Sequence, residues 1–367
     1  MNKTLTTMTF SALVAVAANT NAQFFIAPLT SFGGDGWLAP GEGGYAYLGT
    51  GNNERGMAYG NGELYLVSRA GGNNVRRLNS LTGADLGGLD VTGISGGTFA
   101  VNAAAVGGDG AIYVGNLTTS SSTSPYKVYR WANNAAAPTV AYSGDPLGGV
   151  ARFGDNLAAI GSGANTRLAA GAGNTAVVND TGFALVDPTA GTASYSPVTG
   201  AAQGDFRLGL DFVDANTLLG TQGSAVGNGL RYADLNGNLL GTSTLSTASQ
   251  RALGFSLIGG IGLLAAVDTV DGRVRIYDAS TPGSVGAPVL FGSALPFTHT
   301  ANANASGAVA WGDAYYDSND GKWKSELYVL ETNNGIQAYT ISVPEPTSAA
   351  LLGLGVSALI AFRRNRK

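Results

Sequence analysis

Apolar and polar positions alternate in short runs along most of the chain, and turn residues bound each run. Asn61-Gly62 precedes Glu63-Leu64-Tyr65-Leu66-Val67, Asp109-Gly110 precedes Ala111-Ile112-Tyr113-Val114, and Asp155-Asn156 precedes Leu157-Ala158-Ala159-Ile160. The pattern recurs at Asn216 before Thr217-Leu218-Leu219, at Gly259-Gly260 before Leu263-Leu264-Ala265-Ala266-Val267, and at Asp320-Gly321 ahead of Glu326-Leu327-Tyr328-Val329-Leu330. A tight turn of residues that tolerate positive φ, followed by an apolar run, predicts a hairpin strand. A further strand is expected after each, at residues 74–78, 127–131, 182–186, 229–233, 273–277 and 335–339, several with the two-residue period of a half-buried strand. A looser fourth strand follows most of them, as at 139–142 and 288–291.

With Leu64, Ile112, Leu157, Leu218, Leu263 and Leu327 taken as equivalent, the intervals are about 48, 45, 61, 45 and 64 residues. A repeat near ~45 residues with four short strands predicts propeller blades. The expected fold is therefore all-β, a β-propeller of six four-stranded blades, with insertions at 161–181 and 293–306 in the two long intervals. A blade buries its faces only against its neighbours, so the ring must close. Residues 23–48 are expected to lend a strand to the last blade, near 335–341. The chain has no Gly-His and Trp-Asp pairs of the WD40 kind. A pair of β-sandwiches and a β-solenoid are the alternatives, the solenoid needing a shorter and stricter period.

The two ends read differently from the body. Lys3, the apolar stretch 10–18 and Thr20-Asn21-Ala22 have the order of a secretory signal peptide over 1–22, with a mature chain starting near Gln23. At the other end Pro344 and Pro346 interrupt any helix. A charge-free apolar run follows over 348–362, and then Arg363, Arg364, Arg366 and Lys367. The run predicts a single C-terminal hydrophobic helix, shorter than the ~20 residues that span a bilayer comfortably. Snorkelling of Arg363 and local thinning make up the difference. The basic end stays cytoplasmic, which leaves the body outside. The domains are then 1–22 signal peptide, 23–342 propeller and 343–367 tail.

Val343-Pro344-Glu345-Pro346, a short apolar span and a basic terminus resemble the PEP-CTERM sorting signal of Gram-negative bacteria. The resemblance covers only the tail. It implies recognition by an exosortase that cleaves near the motif, after export by the secretion machinery. The chain would be tethered to the inner membrane through the tail before processing, and would then reach the cell surface or the extracellular space. It further implies a producer of exopolysaccharide, with matrix polymer or other envelope proteins as partners.

Cysteine is absent, so neither disulfides nor thiolate metal sites operate, and the core alone must hold the fold. Charged residues are 12% of the chain and the net charge is −4, with no basic stripe, which argues against nucleic acid as a partner. Abundant glycine, 56 of 367 residues, suits a β protein with many tight turns.

Candidate chemistry is sparse. Inner strands of a propeller start near the axis, and Glu54, Arg55, Asn102, Arg207 and Arg251 fall at such starts. Arg55, Arg207 and Arg251 at one channel mouth would hold a carboxylate or sulfate of an acidic glycan by paired hydrogen bonds. The alternative is that they pair with Glu54, Asp205 or Asp211, or fill the channel. Trp311, Tyr315, Tyr316 and Trp323 would stack on sugars if exposed, and pack the blade if not. Asp313, Asp317 and Asp320 carry oxygens suited to Ca²⁺, but their order does not fit an EF-hand loop. A turn at Asn319-Asp320-Gly321 explains them without an ion, so no metal or other cofactor is called for. His299 is the only histidine, and no Gly-x-Ser-x-Gly elbow supports a triad around it.

The leading reading is an exported, non-catalytic propeller associated with the matrix or biofilm. The alternative is a secreted propeller hydrolase or lyase acting on matrix polysaccharide. Carboxylates converging on the axis would favour the enzyme, and a channel filled by apolar side chains the scaffold. The sorting reading predicts that protein from wild-type cells ends near Pro346, and that cells lacking the exosortase retain the full tail at the membrane. Intact-mass measurement of membrane and medium fractions checks this; an uncut tail in both strains would make 348–362 a plain anchor.

Overall fold

Short turns set the strands. Asn61 and Gly62 both take left-handed φ, 55° and 73°, which is the two-residue hairpin geometry that matches strand twist. They join Glu54–Gly60 to Glu63–Ser68, and Asn74–Asn79 and Asp85–Gly88 complete the first four-stranded antiparallel sheet. The computed structural model describes residues 24–173, 180–222, 229–281, 283, 289–291 and 298–344. The signal peptide, and within the tail Glu345, Pro346, the apolar helix and the basic end at Arg363, Arg364, Arg366 and Lys367, lie outside the described residues. Among the described residues no helix is long and apolar enough to cross a membrane.

Five more sheets follow in chain order. The second blade is Phe99–Val106, Ile112–Leu117, Tyr126–Trp131 and Thr139–Gly144; the third is Ala158–Ile160, Arg167–Gly171, Phe183–Asp187 and Thr192–Ser196. The fourth is Gly209–Asp214, Thr217–Thr221, Gly229–Asp234 and Leu239–Thr244, and the fifth is Gln250–Ile258, Ile261–Asp268, Val274–Asp278 and Val289–Phe291. The sixth runs Gly307–Trp311, Lys322–Glu331 and Ile336–Pro344, and its outer strand is Phe25–Pro28 from the other end of the chain. Phe25 lies opposite Ser342 and Pro28 opposite Tyr339, while Trp37-Leu38 pairs beside them with Gln337 and Ile336. The expected propeller of six blades, closed by the N-terminal segment, is what forms.

The third blade departs from the sequence expectation. Leu157 is not the counterpart of Leu64, because Ala158–Ile160 is the inner strand of its blade. The true counterpart is buried Leu168 in Arg167–Gly171, inside the stretch expected to be an insertion. Its hairpin turns through a single 3-10 turn at Gly163–Asn165 instead of an Asn-Gly pair. The strand itself is Leu-Ala-Ala-Gly, so both sequence signals are missing.

Six apolar clusters fill the six blade interfaces. Between the last and first blades, Tyr328 and Leu330 meet Met57, Leu64 and Leu66, with Phe32 and Leu38 of the N-terminal segment. The ring is tight at the axis. A Cβ on Gly56 would lie 2.7 Å from Asn102 O, and one on Gly209 2.1 Å from Arg251 O, so neighbouring inner strands approach to distances only glycine allows.

Closure makes a stability prediction. Ile26 packs into the cluster between the fifth and sixth blades; Leu240 on the fourth blade is 51% exposed. Ile26→Asp is expected to cost about 2 kcal/mol in urea unfolding and Leu240→Asp under about 0.5 kcal/mol. Equal, small effects would mean that the N-terminal strand does not hold the ring.

Candidate functional site

The six inner strands enclose one cavity of about 210 Å³ on the axis, touched by residues of every blade. Its wall is mostly small and apolar, as at Ala58, Ala104, Ala158, Leu210, Leu253 and Ala308. Two carboxylates, Asp155 and Asp211, lie in its wall, and Asp211 is the one held by backbone alone among the described residues. It accepts backbone N–H groups from Phe212 and Phe255, both at 2.8 Å. Burial pushes its carboxyl up to about 7, against the two hydrogen bonds.

At the mouth where the inner strands start, arginines gather. Asp155 takes Arg152 in two-pronged fashion, Nε to Oδ2 and Nη2 to Oδ1 at 2.6 Å each, and also Arg207 Nε at 2.9 Å. Burial alone would raise the Asp155 carboxyl, but Arg152 and Arg207 outweigh it and hold the group below the usual range. The two arginines thus share one carboxylate. The partners differ from those expected: Asp205 is taken by Arg231 at 2.9 Å, and Asp211 by backbone.

Arg55 and Arg251 have no carboxylate partner among the described residues. Arg55 is 7% exposed and makes one hydrogen bond, Nη1 to Ser306 Oγ at 2.8 Å. Burial, then Arg69 and Arg152 nearby, bring its guanidinium down to about 10, against Asp155 and Glu54. Arg251 is half-buried and makes no side-chain hydrogen bond among the described residues. Burial and then Arg207 lower it as well, against Asp268. Glu54 beside them accepts Gly49 N–H at 2.8 Å through Oε1, and its Oε2 is buried without a hydrogen-bond partner among the described residues. Burial raises its carboxyl, which weakens it as a counter-charge. Asn102 donates to Gly154 O at 2.7 Å and leaves Oδ1 equally unpartnered.

The other sequence candidates lie at the far end of the channel. Trp311 closes its inner strand, and Tyr59 donates to Asp313 Oδ2 at 3.0 Å. Tyr315 and Tyr316 are exposed, while Trp311 and Trp323 pack against the cluster between the fifth and sixth blades. The Tyr316 and Trp323 rings meet at 5.8 Å. Asp317 and Asp320 close on Lys324, at 2.6 and 2.9 Å, away from Asp313. No group of three or more His, Asp or Glu side chains that could hold a metal ion forms among the described residues. His299 meets Glu331 at 3.1 Å behind the arginine mouth.

Sequence reading missed Arg69, Arg152 and Asp155. Arg69 follows a second strand, and Arg152 and Asp155 precede one assigned to the wrong position. Placing Ala158–Ile160 at the axis would have brought both to the mouth.

The tail is continuous with the last blade. Val343 is buried opposite Trp323, and Pro344 lies opposite Lys322. Residues 342–367 match the PEP-CTERM protein-sorting motif. The tail is a PEP-CTERM sorting signal. Such a signal implies export and exosortase processing at the membrane. Residues 44–180, the first two blades and the two inner strands of the third, match a domain of unknown function, DUF4623. No curated protein matches the chain. Among solved structures, a DUF4623 family protein from Bacteroides eggerthii is 18% identical, with a TM-score of 0.60 over 80% of this chain and 71% of that one. At that identity the likeness bears on the fold. A protein of unknown function from Dyadobacter fermentans is 11% identical, with a TM-score of 0.45 over 80% of this chain and 94% of that one. A GH43_1 enzyme from Xanthomonas citri is 12% identical, with a TM-score of 0.40 over 86% and 92%.

The channel carboxylate sets a pH prediction. The Asp211 carboxyl is near 7 when folded and near ~4 when unfolded. Folding therefore takes up a proton between those values, and the contribution is lost as pH rises through 7. Relative to Asp211→Asn, the parent should lose on the order of 1–3 kcal/mol between pH 4 and 8 in urea unfolding. A pH-independent gap would show Asp211 ionised throughout.

Proposed function

We propose that the protein is an exported, non-catalytic propeller that holds an anionic matrix polymer, such as an acidic exopolysaccharide, at its arginine mouth. The observation that carries this reading is that Arg55 and Arg251, each at the start of an inner strand, lack a carboxylate partner among the described residues. A charge buried without a partner is costly, and a carboxylate or sulfate between two guanidiniums offsets that cost with charge-assisted hydrogen bonds. Arg207 is already engaged by Asp155 at 2.9 Å. The exposed Tyr315 and Tyr316 at the far end offer a sugar a lesser contact, with Trp311 and Trp323 supporting them from the core.

One observation favours the hydrolase reading: Asp211, near 7 in the channel, has the proton affinity of a general acid. Against it, both Asp211 oxygens are held by backbone N–H groups, and the second carboxylate that glycoside hydrolysis requires would have to be Asp155, which Arg152 and Arg207 already hold. The polymer-binding reading predicts that an Arg55→Ala, Arg251→Ala double variant binds polysaccharide extracted from the producing cells at least ~10-fold more weakly than the parent. A neutral dextran should bind neither. Parental affinity in the double variant, measured by co-sedimentation, would end the reading.

A further inference from the structure

A second cavity, about 630 Å³, opens beside the mouth between the first and second blades. Arg55 lines both spaces, so the groove adjoins the axial cavity at this residue. Its wall combines Asn52, Arg69, Asn73, Phe99, Thr119 and Arg152. The Arg69 guanidinium stacks over the Phe99 ring at 3.6 Å, and the ring is 41% exposed on the neighbouring blade. The stack fixes a planar, cationic fork across the blade boundary. Arg69 donates Nη2 to Asn52 O at 2.9 Å, and its Nε and Nη1 are buried without a partner among the described residues. No carboxylate forms an ion pair with it among the described residues. Arg152 gives Nε and Nη2 to Asp155, which Arg207 shares. Along this path the guanidiniums of Arg55, Arg69, Arg152 and Arg207 therefore face Asp155 and a buried Glu54.

We infer that the groove extends the mouth into a cleft for a linear, carboxylate-bearing glycan, with one acidic sugar on Arg55 at the axis and a later one on Arg69 beside Phe99. The amides and hydroxyls of Asn52, Asn73 and Thr119 suit the sugar hydroxyls between them, because each can donate or accept. Fork geometry favours a planar carboxylate over a point charge. Phe99 acts as a positioning residue, since one of its faces is already covered by Arg69.

This inference rests on the mouth reading and is separated from it by chain length. The test uses the full-length protein and oligogalacturonates from monomer to hexamer, followed by calorimetry. In the parent, affinity should rise at least ~10-fold from monomer to hexamer. Arg69→Ala should abolish most of that rise while keeping monomer affinity, and Phe99→Ala, which leaves every charge in place, should lose about half of it on a logarithmic scale. The Arg55→Ala, Arg251→Ala variant should weaken monomer and hexamer alike. Full chain-length dependence in both Arg69→Ala and Phe99→Ala overturns the groove while leaving the mouth intact. Equal binding of carboxyl-reduced, neutral oligomers overturns it too, because charge would not be what the groove reads. A parent that binds no oligogalacturonate at any length contradicts both. Inorganic sulfate binding the parent as tightly as the hexamer would reduce the site to a small-anion seat.

Discussion

The structure depends on one set of backbone hydrogen bonds: Phe25–Pro28 against the last strand, Ile336–Pro344. A blade alone leaves apolar faces open to water, and a ring of blades satisfies them only if the last meets the first. Here the first strand of the described chain supplies the outer edge of the final sheet, and Phe32 and Leu38 behind it fill the seam with Leu64 and Tyr328. The same closure reaches the sorting signal. Val343 and Pro344 belong at once to the motif and to the closing sheet. The start of the motif is therefore ordered by the same strand that completes the ring.

Closure also creates the electrostatics of the mouth. Each inner strand begins at the same end of the axis, so arginines distant in sequence come together there. Asp155 can neutralise only part of that charge, and does so by serving Arg152 and Arg207 together. Arg55 and Arg251 are left over. The apolar wall below them, built of alanines and glycines so that the strands can approach, has little chemistry to offer beyond Asp211. The resulting object is a closed scaffold with Arg55, Arg152, Arg207 and Arg251 at or just before the starts of its inner strands, on a chain of net negative charge.

Much of this was legible in the residues, and the exceptions have physical causes. Asn61-Gly62 and Gly110 mark their hairpins because they take a left-handed φ that is costly for other residues. Arg167–Gly171 was invisible because it is short, rich in alanine and entered through a 3-10 turn. That miss displaced Ala158–Ile160 from the axis and hid Arg152 and Asp155. Arg55, Arg207 and Arg251 were readable, since polar residues at inner-strand starts stand out in a run of small apolar ones. Arg69 was not, because only the fold brings Phe99 of the next blade beneath it. Trp311 and Trp323 could not be told from Tyr315 and Tyr316 by sequence, as a blade edge and a blade core use the same aromatic residues.

The most direct test of the central claim, that the mouth is an anion seat built by closure, is to locate an anion there. Crystals of the full chain grown with selenate would carry an anomalous signal from selenium. The account predicts a strong peak within hydrogen-bonding reach of Arg55 and Arg251. Selenate found only at other surface cations, with the mouth ordered and holding water alone, would contradict it.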